Sequence, residues 1–144
     1  MKTKLKELEK LGLLIYLCEG TKSKRQNRCD PEQIEFVSTD PLLIIIFIKF
    51  LRKILDIKEN KLRGRLQIHE DVNEKRAKKY WSKISGIPVT QFQKSIIKEI
   101  KQQKTHYNKL NYGTFVVRYA SKEKYNQLIQ MLMILKQKLK RDMG

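Results

Sequence analysis

The run Gly12-Leu13-Leu14-Ile15-Tyr16-Leu17-Cys18-Glu19-Gly20 closes an apolar stretch on a carboxylate and a glycine, and Thr21-Lys22-Ser23-Lys24-Arg25 follows at once. As a helix beginning near Lys4, it aligns Leu5, Leu8, Gly12, Ile15 and Glu19 at alternating spacings of three and four. That stripe is narrow, with a small residue in its middle, and suits the close approach of a second helix. Leu11, Leu13, Leu14, Leu17 and Cys18 cover the other sides, which predicts burial on more than one face. Glu19 then ends a buried run, where desolvation of its charge needs an offset. An exposed Glu followed by a C′ glycine is also how an ordinary helix ends. The rest of the chain has to separate the two.

Leu62 to His69 is the clearest strand. Leu62, Gly64, Leu66 and Ile68 alternate with Arg63, Arg65, Gln67 and His69. One face belongs to a core. The other carries two guanidiniums, an amide and an imidazole, where a merely solvated strand displays mixed charge and Thr. Arg and Gln are the side chains whose forked donors and acceptors match base edges in the DNA major groove. The charge balance points the same way. Thirty-two Lys and Arg against fifteen Asp and Glu leave +17 over 144 residues, which predicts a polyanionic partner, nucleic acid first.

A membrane surface is the rival partner, but the Leu42 to Leu51 run is too short to span and carries Lys49. The first ten residues hold six charges and no apolar signal segment. Cys18 and Cys29 form neither a disulfide framework nor a zinc pattern. The chain reads as intracellular, reduced and a single domain over residues 1–144, without structural zinc.

The other elements follow from local signals. Gln33 to Val37 resembles the second arm of a hairpin whose first arm and tip, Thr21 to Arg28, are basic. Ser38-Thr39-Asp40-Pro41 starts a helix over Leu42 to Leu55, with Thr39 or Asp40 as N-cap. Glu70-Asp71 leads a helix over Val72 to Ser85, acids first and lysines later, with Trp81 as a core residue. Val89 to Asn111 is the stretch the local signals define least: Phe92, Ile96, Ile97 and Ile100 suit a strand and its continuation or a short helix, and basic, Gln-rich Lys98 to Lys109 suits a long hairpin arm or mobile loop. Thr114 to Tyr119 is a strand, and Ser121 caps a last helix bearing Tyr125, Leu128, Met131, Leu132, Leu135 and Leu139. Its tail, 136–144, is basic and expected to fray.

At Gly12 to Gly20 the chain resembles the LAGLIDADG homing-endonuclease family, whose nine-residue motif ends in an acidic residue and a glycine. Glu19 and Gly20 match that ending, and Cys18 takes the usual small-residue place. Leu14 stands where glycine is usual, and Leu17 where an aspartate is common. The element order extends the resemblance over roughly residues 5 to 139. It implies an α+β fold of αββαββα type, with an antiparallel saddle-shaped sheet in the major groove and Val72 to Ser85 as an inserted helix.

The resemblance further implies a metal-dependent, site-specific endonuclease. Glu19 would be catalytic and would bind Mg²⁺ or Mn²⁺, with the Cys18 backbone carbonyl as an optional further ligand. With one motif in the chain, the second Glu19 would come from a second copy. Such a homodimer, joined through Leu5, Leu8, Gly12 and Ile15, would favour a near-palindromic double-stranded DNA target. Base reading falls to Arg63, Arg65, Gln67, His69 and Arg118. Phosphate contacts fall to Lys22, Lys24, Arg25 and Arg28 and to the arm that holds Lys94 and Lys104. Two alternatives stay open: a DNA-binding regulator that has lost cleavage, and an RNA-splicing maturase.

Overall fold

The computed structural model describes residues 2–19, 33–99 and 112–143. The chain forms α1 (Lys2–Glu19), β1 (Ile34–Ser38), α2 (Pro41–Lys53), β2 (Leu62–His69) and α3 (Glu74–Ser85). It continues with β3 (Ile96–Lys98), β4 (Thr114–Tyr119) and α4 (Lys122–Met143), and single 3-10 turns lie at Glu59–Lys61 and Val89–Gln91. The fold is α+β. The first arm of the expected hairpin lies outside the described residues.

Local chemistry sets the boundaries. The Asp40 carboxylate accepts from the Leu42 N–H at 2.9 Å, and Pro41 opens α2 where its missing N–H costs nothing. Asn73 caps α3 by accepting from the Arg76 N–H at 3.0 Å. The helix therefore starts at Glu74, two residues later than expected, because the extended Asn73 is its cap and Val72 belongs to the preceding turn, its N–H donating to the His69 carbonyl. Gly86, at φ 74°, ends α3 in the left-handed conformation that disfavours a side chain. Ser121 accepts from the Lys124 N–H at 3.2 Å. The tail expected to fray continues as helix to Met143, its Lys140 and Arg141 complementing the negative end of the α4 dipole.

The four strands form one sheet in the order β1-β4-β2-β3. β4 is antiparallel to both β1 and β2, whereas β3 runs parallel to β2. The sheet is thus mixed, which corrects the expected all-antiparallel arrangement. The reason is topological: the chain leaves β2 through α3 and returns to the same end of the sheet, as a helical crossover requires.

All four helices contribute to one core cluster against one face of the sheet. Leu62, Leu66 and Ile68 from β2 share this core with Phe36 of β1 and with Phe115, Val117 and Tyr119 of β4. Phe47 of α2 stacks on Phe36 at 4.5 Å and on Tyr16 of α1 at 5.7 Å. Trp81, a core residue as expected, stacks on Phe115 at 5.1 Å. Its indole N–H donates to the Tyr112 carbonyl at 2.8 Å, so the buried donor is satisfied.

The packing of α1 departs from expectation. Gly12 is buried against Phe50 of α2, and a Cβ there would lie within 2.6 Å of the Phe50 Cβ and nearer still to the ring. Its close helix approach is made within the chain, so Gly12 leaves the list of dimer-contact residues. Leu8 and Ile15 also pack against the protomer's own core. Of that stripe only Leu5 is exposed. The outward face is instead Lys4, Glu7, Leu11, Leu14 and Cys18, which recur at spacings of three and four. Leu11 is 47% exposed and Leu14 42%.

Candidate nucleic-acid interface

The strand face turned away from the helices is built by register. Glu35 of β1 lies opposite Arg118 of β4, which lies opposite Arg63 of β2. In the next row Val37, Val116 and Arg65 align, and beyond it Thr114, Gln67 and Ile96. His69 pairs with Lys98. Strand alternation places the four expected β2 side chains on this one face, each partly exposed, with Arg118 among them. The expected reading row of Arg63, Arg65, Gln67, His69 and Arg118 is therefore brought together on one surface.

The five are not equivalent. Directly opposed like charges destabilise a strand pair, and Arg63 faces Arg118. Each turns aside. The Arg63 Nη1 donates to the backbone carbonyls of Asn60 at 2.7 Å and Leu62 at 3.0 Å. All three guanidinium nitrogens of Arg118 are engaged. Its Nε and Nη2 both meet the Glu35 Oε2 at 2.8 Å, and its Nη1 donates to the Gln93 Oε1 at 3.2 Å.

Arg65 has no ion pair among the described residues, and its Nε is buried without a hydrogen-bond partner. Burial first, then repulsion from Arg118, lowers the pKa of its guanidinium, while Glu35 opposes the change. Val116, in the same row, is completely buried although it stands on this face and outside the main core cluster. The Gln67 side-chain amide makes no hydrogen bond among the described residues. Arg65 and Gln67, two residues apart on β2, are thus the forked groups of the surface that make no side-chain hydrogen bond among the described residues, whereas Arg63 is tied through Nη1 and Arg118 through all three nitrogens.

Glu19 and Cys18 are both exposed at the end of α1. Glu19 therefore carries no burial penalty, contrary to the expectation drawn from its apolar run. Its difficulty is of another kind. The last turn of α1 holds no basic residue, whereas those of α2, α3 and α4 all carry Lys or Arg. A carboxylate at the negative end of a helix dipole is unfavourable unless a cation meets it. Among the described residues no three His, Cys, Asp or Glu side chains group together, around Glu19 or elsewhere. A hard cation needs no such group, since Mg²⁺ is commonly held by one or two carboxylates plus phosphate oxygens and water.

Lys94 is exposed beside the sheet edge, shortly before β3. Lys22, Lys24, Arg25, Arg28 and Lys104 lie outside the described residues. Sequence reasoning missed Glu35 and Gln93 as members of this surface. Only strand register brings them in, although the alternation of Ile34 and Phe36 did imply that Glu35 faces away from the core. No described helix is long and apolar enough to cross a membrane. Scans against family models, curated proteins and solved structures find no match to this chain.

Proposed function

We propose that this protein binds double-stranded DNA through the open face of its sheet and cuts it in a divalent-metal-dependent reaction as a homodimer, in the manner of LAGLIDADG homing endonucleases. The observation that carries the reading is the single sheet face bearing Arg63, Arg65, Gln67, His69 and Arg118, on a chain of charge +17. A cationic surface with forked side chains suits a groove whose walls are phosphate and whose floor presents hydrogen-bonding base edges.

Two features of α1 support the catalytic half. Leu11, Leu14 and Cys18 form an exposed stripe with the three-four spacing of a helix pair seam, which suits the same helix of a second copy. A twofold pairing there would set two Glu19 carboxylates near one axis. They would hold Mg²⁺ or Mn²⁺, which when bound supplies an activated water and offsets charge developing on the phosphate. Glu19 itself positions the ion, and the basic sheet orients the duplex.

The test is cleavage of a bound duplex in Mg²⁺ by wild type and by Glu19→Gln, with binding measured separately in Ca²⁺. The expected result is cleavage by wild type, its loss in the variant, and binding by both. Wild type that binds duplex and leaves it whole in Mg²⁺ and Mn²⁺ would favour a regulator. Preference for structured RNA over duplex DNA would favour a maturase.

A further inference from the structure

Among the described residues Glu35 is the one carboxylate in the cationic part of the open sheet face, and its position is hard to explain as surface charge. It lies in the row Glu35–Arg118–Arg63, one row from Arg65, so three guanidiniums stand around or diagonal to it. An acid there repels the phosphates that the same surface would attract. Its effect on the neighbours is specific. With Gln93 it occupies every nitrogen of Arg118, in a pair whose side chains are only 19% and 23% exposed. Arg118 is thereby bound across the sheet from β1, while Arg65, on the same face, keeps an unpaired fork.

We propose that Glu35 is a specificity-setting residue of the DNA surface: by holding Arg118 down, it leaves Arg65 and Gln67 as the pair that reads bases. The proposal rests on the DNA-binding reading above. The ligand class follows from the two free groups. A forked guanidinium matches the O6 and N7 of guanine, and a carboxamide matches the N6 and N7 of adenine. The preferred duplex therefore carries a guanine with an adenine close by, within each half-site. Arg118, if released, would present a second fork one row away and would also take phosphates. Glu35 thus acts through Arg118 and is a positioning residue, which need not touch DNA.

The experiment selects preferred sites from a randomised duplex library with wild type, Glu35→Gln, and Glu35→Gln/Arg118→Gln. It also measures affinity for a random duplex over a salt series. Glu35→Gln keeps the size and an acceptor oxygen but loses the charge that holds Arg118. Discrimination between selected and random duplex should fall about tenfold, and the salt slope should steepen by about one phosphate contact. The double variant should recover the wild-type guanine–adenine preference, because Arg118 is no longer there to compete. Should Glu35→Gln fail to fold, Gln93→Ala, at an exposed residue, frees the Nη1 of Arg118 and should move both readouts in the same direction by less. Unchanged preference and slope in Glu35→Gln, or a double variant that stays relaxed, overturns the proposal while leaving DNA binding intact. Wild type with no salt-dependent duplex binding overturns both.

Discussion

Replacing Gly12 by alanine separates two accounts of α1. If the small residue serves a contact between copies, the added methyl weakens that contact, and the folded protomer gains about 0.5–1 kcal/mol of helix propensity. The structure dictates the opposite. The new Cβ would stand within 2.6 Å of the Phe50 Cβ and closer to its ring. Carbon atoms pack at about 3.5–4.0 Å, so something must move by at least about 1 Å.

Phe50 has no room to do so. It is completely buried, its ring 5.8 Å from that of Phe47, which is itself stacked on Phe36 and Tyr16. Overpacking of a tight core costs typically about 1–3 kcal/mol, and this clash belongs at the upper end. After subtracting the propensity gain, Gly12→Ala should destabilise folding by about 2 kcal/mol, which for a chain of this size lowers Tm by roughly 6–8 °C. Urea unfolding at two protein concentrations measures it, because a loss inside the protomer persists when association is diluted away. A variant as stable as wild type, with weakened self-association alone, would refute the packing argument and return Gly12 to an interface.

Leu14→Glu should abolish self-association while leaving the dilute protomer folded, since Leu14 is exposed and a surface change there alters stability by about 0.5 kcal/mol or less. Sedimentation velocity checks it, and a variant that still self-associates would move the contact off this stripe. Arg65→Ala should relax base preference at one or two positions at a cost of about 1–3 kcal/mol for the lost fork. Competition between matched and mismatched duplexes tests this, and an equal loss on every sequence would make Arg65 a phosphate contact.

The legible parts of this protein are those whose information is local. The alternation through Leu62 to His69 predicted both the span of β2 and the face on which its cations stand, because successive strand side chains must point to opposite sides. Asp40-Pro41 marked the start of α2 and Ser121 that of α4, because an N-cap acts on N–H groups two or three residues away. β3 stayed open between strand and short helix because it is three residues long and exposed throughout, Ile96 and Ile97 included, so it carries no alternating signature. The parallel pairing escaped, since strand direction is a property of the connection through α3.

The sequence by itself determined an α+β chain with a basic strand face, a long apolar first helix ending in Glu19, and a composition suited to a polyanion. It also contained two stripes on α1 with three-four spacing, Leu5-Leu8-Gly12-Ile15 and Lys4-Glu7-Leu11-Leu14-Cys18, and no local rule ranks them. Only the tertiary structure decided, because Phe50, 38 positions further along the chain by number, fills the space that Gly12 leaves and turns the other stripe outward. The same holds for the reading face. Three guanidiniums could be placed on it from alternation alone, but the Glu35 that holds Arg118 lies 83 residues away in the chain. Periodicity decides which side of a strand a group occupies; what it meets there depends on which strands become neighbours.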